Sequence, residues 1–123
     1  MKYLILIQSN EQSRAVWETL TEAERIEFGK SHLRLTEELL ASGELIASEA
    51  LVDQSLATRV SVRDGRTVTS DGPFAEIKEY VAGFYLVECD SHERAIEIAA
   101  KASDAQRCYV ELRPVFDIRA LDL

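Results

Sequence analysis

The sequence predicts an α+β fold, a split β-α-β sheet with two helices on one face. Three observations carry the prediction. The elements run strand, helix, strand, hairpin, strand, helix, strand, which is two β-α-β units in a row. The first strand and the one before the second helix are apolar on both faces, as strands covered on two sides are. The length, 123 residues, allows one ordinary domain spanning 1–123 and one core, with no internal repeat and no linker. That order is the ferredoxin-like one. With both helices on one side, the other sheet face is open. The simplest cover for it is a second copy of the chain, a face-to-face homodimer.

Each element has its own reason. Lys2 to Gln8 is a strand with a doubly apolar Leu4-Ile5-Leu6-Ile7 centre. Ser9 to Thr19 has no clean period and reads as a loop with one turn of helix. Thr21 and Glu24 have capping-box spacing, and Gly43 stands where a C-terminal cap belongs, so Glu22 to Ser42 is a helix. On it Phe28, Leu35 and Leu39 form one apolar line, and Ile26, Leu33 and Leu40 a second. Gly29, His32 and Thr36 lie between them, and Gly29 is expected to let the helix approach the sheet closely. Glu44 to Leu51 is a strand with Leu45, Ala47, Glu49 and Leu51 on one side. Val60 and Val62 alternate with Arg59, Ser61 and Arg63, and Asp64-Gly65 supplies the hairpin turn into Arg66 to Thr69. Asp71 to Tyr80 breaks the pattern. Ala82 to Cys89 is a strand, a helix follows from Asp90 to about Lys101, and Cys108 to Phe116 is the last strand.

Composition removes several function classes. Lys and Arg total 14 against 22 Asp and Glu, a net charge of -8. Binding to nucleic acid or to an anionic membrane leans on basic side chains, and no basic run is present. A small anionic ligand stays open, because a local pair of arginines overrides the net charge. Cys89 and Cys108 fall inside apolar runs without metal or redox spacing, which suits a reducing compartment. The N-terminal apolar stretch is shorter than a signal-peptide core, and no run approaches the roughly 20 apolar residues that span a bilayer. The expected location is the cytoplasm.

No Gly-rich phosphate loop, zinc spacing, His-Glu-x-x-His or nucleophile elbow is present. Two local features remain. The first is Asp71-Gly72-Pro73-Phe74-Ala75-Glu76-Ile77-Lys78-Glu79, followed by Ala82-Gly83-Phe84-Tyr85. This run resembles the signature of DGPF-type members of the YCII-related (YciI-like) family. The opening Tyr3-Leu4-Ile5-Leu6-Ile7 and the closing Glu111-Leu112-Arg113-Pro114-Val115 are similar to that family's first and last strands, so the resemblance covers essentially the whole chain. It implies a ferredoxin-like fold that dimerises sheet to sheet into an α/β barrel, an architecture shared with muconolactone isomerases and cofactor-free monooxygenases. It also implies a first-helix His and an Asp acting as an acid-base dyad, with no cofactor and no metal. It further implies an association with extracytoplasmic-function sigma factors.

The second feature is His32. Its functional reading is a proton shuttle near neutral pH; its plain reading is a core His satisfied by carbonyls or water. Asp71 has two readings as well. It is the carboxylate that orients His32, or it is the residue whose side chain starts the Gly72-Pro73 turn. Asp104, before the last strand, is the other candidate partner. Lys78 and Glu79, with Glu76, are either a ligand-binding loop or a solvated charge run. Arg113 either points into a barrel lumen to hold a carboxylate or guards a strand, and Arg59 is assigned to the second role. Tyr85 presents its hydroxyl to a pocket or packs in the core. His92 and the cysteines carry no role. Two functions follow. One is a cofactor-independent isomerase- or lyase-like enzyme for a small anionic or aromatic molecule, with His32 and Asp71 catalytic. The other is a non-catalytic dimer that binds a metabolite or a protein.

Overall fold

The computed structural model describes residues 1–74 and 78–121. Its elements are β1 (Lys2–Ser9), α1 (Glu11–Thr19), α2 (Glu22–Ser42), β2 (Leu45–Ala50), β3 (Thr58–Arg63), β4 (Arg66–Asp71), β5 (Tyr80–Glu88), α3 (His92–Lys101), α4 (Ser103–Arg107) and β6 (Val110–Pro114). Four strands form one sheet in the order β2-β5-β1-β6, and each pairing is antiparallel. The predicted mixed α+β class stands. β3 and β4 form a separate ribbon. Among the described residues no helix is long and apolar enough to cross a membrane.

The core lies between one sheet face and the helices. Tyr3 and Ile5 of β1, Val87 of β5, Leu39 of α2 and Ile98 of α3 are its largest fully buried side chains. Side chains alternate along a strand, so Leu4, Leu6, Phe84 and Leu86 stand on the opposite face, where they are half-buried. Leu4 pairs with Leu86 and Leu6 with Phe84, giving that face a contiguous apolar centre.

The helix-end signals of α2 form as the sequence predicts. The Thr21 hydroxyl accepts from the Glu24 amide at 3.1 Å, and the Glu24 carboxylate accepts from the Thr21 amide at 2.9 Å. Gly43 closes the helix at φ 80°, a left-handed conformation suited to glycine. The Asp64-Gly65 turn also forms, with both residues at positive φ. The Gly72–Pro73 peptide is cis.

Five expectations need correction. Only one of the two apolar lines of α2 faces the sheet. Leu35 and Leu39 are buried, whereas Ile26, Leu33 and Leu40 are exposed. Gly29 does not bring the helix close, since a Cβ there would meet nothing within 4 Å. Ser9 to Thr19 is mostly helix, α1, opened by a capping box between Asn10 and Ser13. The helix is nine residues long and buries none of them fully. In β2 the pairing register shifts between Leu45 and Ala47, so Leu45 opposes core Val87 while Ala47 opposes Leu86 on the other face. The last strand begins at Val110, because Cys108 caps α4 through its amide to the Asp104 carbonyl at 2.9 Å.

Candidate functional site

His32, Tyr85 and Asp104 come from three elements, α2, β5 and α4. Leu35 and Leu39 anchor α2 on the sheet, and His32 lies one turn before Leu35. Tyr85 alternates inward with Gly83 and Val87 on β5. The short α4 turns the chain so that Asp104 meets the ring from its far side. The Tyr85 hydroxyl lies 2.6 Å from His32 Nδ1, and Asp104 Oδ1 lies 2.6 Å from His32 Nε2. The Tyr85 ring stacks on the imidazole at 18° and 5.8 Å, and Phe28 meets it edge-on at 5.2 Å. Thr36 donates its hydroxyl to the His32 carbonyl at 2.9 Å, steadying the turn that carries the imidazole. The His32 and Asp104 side chains keep 23% and 17% of their surface exposed, so the pair is sheltered yet reachable.

The partners limit the ring's protonation states. Asp104 only accepts when ionised, so Nε2 carries a proton. In the neutral imidazole, Tyr85 donates to Nδ1. In the imidazolium, Nδ1–H donates to the tyrosine oxygen, and the Tyr85 hydroxyl can turn to the His32 carbonyl at 3.4 Å. The ring therefore gains a proton without breaking the chain of contacts. Burial pushes the Tyr85 hydroxyl pKa up, the Thr36 hydroxyl opposes this, and the Asp104 charge adds to the rise. Tyr85 thus stays a protonated donor at neutral pH.

A cavity of ≈ 380 Å³ opens onto this trio, with Phe28, Gly83 and Ser48 on its walls. Gly83 is required by a close approach, since a Cβ there would stand 2.9 Å from the Glu49 carbonyl oxygen. Among the described residues no group of three or more His, Cys, Asp or Glu side chains could hold a metal ion.

The other candidates lie elsewhere. Asp71, expected to pair with His32, instead accepts from the Thr58 hydroxyl at 3.0 Å across the β3–β4 ribbon. The carboxylate at His32 is Asp104. Asp71 ends β4, and just beyond it the Gly72 amide bonds the Ala57 carbonyl at 2.7 Å. Lys78 and Glu79 line a shallow surface with Asn10 and Tyr109, apart from the His32 cavity. Glu79 accepts from the Tyr109 hydroxyl at 2.8 Å, and this bond raises the Tyr109 pKa. Arg113 pairs in register with Leu4 and shares its helix-free face. Arg59 lies over the Phe74 ring at 3.8 Å. Glu76 lies outside the described residues. Phe28 was read only as an apolar line residue, and spacing gave no hint of its contact with the imidazole.

Comparison with known proteins adds two findings. A family model described as the YCII-related domain matches residues 1–119. The uncharacterised protein R00369 of Rhizobium meliloti (strain 1021) is 32% identical over 105 residues, which is 85% of this chain and 82% of that protein.

Proposed function

The chain belongs to the YCII-related family, and from that premise we propose that it is a cofactor-independent acid-base enzyme, isomerase- or lyase-like, acting on a small molecule through His32 and Asp104. The observation that carries this is the Tyr85–His32–Asp104 chain, with both contacts at 2.6 Å, facing a cavity. Isomerisation and elimination both need a group that takes a proton from one atom and returns it to another. His32 is that group. Asp104 supports the imidazolium as it forms, and Tyr85 follows the change by switching from donor to acceptor. Asp71 is proposed as a turn residue, not as the acid-base partner.

The strand order β2-β5-β1-β6, with α2 following β1 and α3 following β5, supports a ferredoxin-like arrangement. The half-buried Leu4, Leu6, Phe84 and Leu86 support a second copy packed on the helix-free face, sheet to sheet. Arg113 would then face the space between the two sheets.

An NMR pH titration of His32 and His92 tests the acid-base proposal in the wild type and in Asp104→Asn. His92 opens α3 and is exposed, so it serves as an internal reference. We expect His32 to titrate, its curve to change on substitution, and the His92 curve to stay in place. A His32 that never takes up a proton, or one indifferent to Asp104→Asn, leaves a packed core residue and overturns the proposal.

A further inference from the structure

We propose that a second cavity, which shares Asp104 and Phe28 with the His32 cavity, binds a monocyclic aromatic or conjugated carboxylate and presents it to the Asp104 end of the acid-base pair; this rests on the function proposed above. The cavity measures ≈ 380 Å³, at the small end of ligand sites, which suits a single ring. Trp17, Phe28 and Tyr80 supply flat apolar walls, and Arg14 and Arg107 also line it. Asp104 and Phe28 line both this cavity and the one that holds His32. A ligand seated here therefore lies against the carboxylate end of the Tyr85–His32–Asp104 chain.

Two guanidinium groups in the lining select the ligand's polar end. The net charge is -8, and Arg25, Arg34, Arg94 and Arg119 are held by carboxylates nearby: Glu18, Glu27, Glu44 and Asp117. Arg14 and Arg107 have no carboxylate within 4 Å among the described residues. Each lies over an aromatic ring instead, Arg14 over Tyr80 at 5.7 Å and Arg107 over Phe28 at 5.8 Å. Arg14 adds only a 3.5 Å contact to the Ser9 hydroxyl. Arg107 feels Glu24, whose carboxylate is held by the Thr21 cap.

The cavity's own carboxylates are all engaged. Glu18 lies 3.8 Å from Arg25, Asp104 2.6 Å from His32, and Asp53 accepts from the Ser55 amide at 3.1 Å and the Tyr80 hydroxyl at 3.4 Å. The lining thus holds two guanidinium groups whose N–H donors meet no carboxylate, beside three carboxylates that already have partners. A planar guanidinium matches a carboxylate through two parallel N–H···O bonds, and the ring it lies on aligns it with a flat ligand.

Trp17 is the sole tryptophan, so its fluorescence reports on this cavity directly. The probes are benzoate and its neutral isostere benzamide. We expect a saturable Trp17 response to benzoate and roughly tenfold weaker binding of benzamide, the loss of one charge-assisted contact. Arg14→Gln and Arg107→Gln should each weaken benzoate roughly tenfold and leave benzamide in place, with circular dichroism unchanged. Equal binding of the two probes, or no saturable response to benzoate in the wild type, overturns the proposal without needing a variant. The His32 titration separates the two failures. A coupled His32 without benzoate selectivity sinks the carboxylate site and spares the acid-base function. An uncoupled His32 with arginine-dependent benzoate binding sinks the acid-base function and spares the site.

Discussion

Glu44 shows how one contact sets a residue's behaviour. Arg94 donates Nε to Glu44 Oε2 at 2.9 Å and an Nη to Oε1 at 2.8 Å. This bidentate pair holds the Glu44 carboxyl down from 4.5 to about 2, against burial and with help from Ser42. The folded-state pKa is the lower one, so the pair's stabilisation is present above pH 4.5 and is lost as pH falls toward 2. Urea midpoints measured across that window should drop steadily for the wild type and more shallowly for Arg94→Met. Parallel curves would show that the pair is not linked to folding. At the same scale, His32 was legible as a candidate because a His between two apolar lines of a helix stands out. Its partner was narrowed to Asp71 or Asp104 but not chosen between them. Asp71 sits in a conspicuous motif, whereas Asp104 sits in five ordinary residues, and only the folded chain brings one of them to 2.6 Å.

Elements follow the same division. Caps and tight turns are local chemistry, so α2, its Gly43 stop and the Asp64-Gly65 turn were all readable. Short helices are not, because nine or five residues hold too few apolar positions to establish a period. That is why α1 and α4 escaped. Two glycines give opposite expectations. Gly29 lies inside α2 with open space around its Cα, so Gly29→Ala should raise unfolding stability by about 0.5–1 kcal/mol. Gly83 faces the Glu49 carbonyl across the β2–β5 pairing, so Gly83→Ala should lower stability by about 1–3 kcal/mol, the range for overpacking. Chemical denaturation of the two variants checks both signs. A destabilising Gly29→Ala would mean that something packs on that face of α2.

For the whole molecule, the helix-free sheet face is decisive. Sedimentation of the wild type should give twice the chain mass of 13.8 kDa, and Leu6→Asp or Phe84→Asp should give the single mass with the fold retained. A wild type that sediments as one chain at high concentration would sink the sheet-to-sheet assembly. The sequence by itself determined the α+β class, the order of the main strands, the long capped helix, the family and His32 as a residue of interest. Each of these is written in local signals: period, caps, turns and a contiguous motif. The tertiary structure decided which apolar line of α2 is buried, where the register of β2 shifts, which carboxylate meets His32, and that Arg14 and Arg107 share one cavity. These depend on residues far apart in the chain: 72 positions separate His32 from Asp104. No local pattern encodes such a meeting, because it is set by how the sheet, α2 and α4 pack once the core is closed.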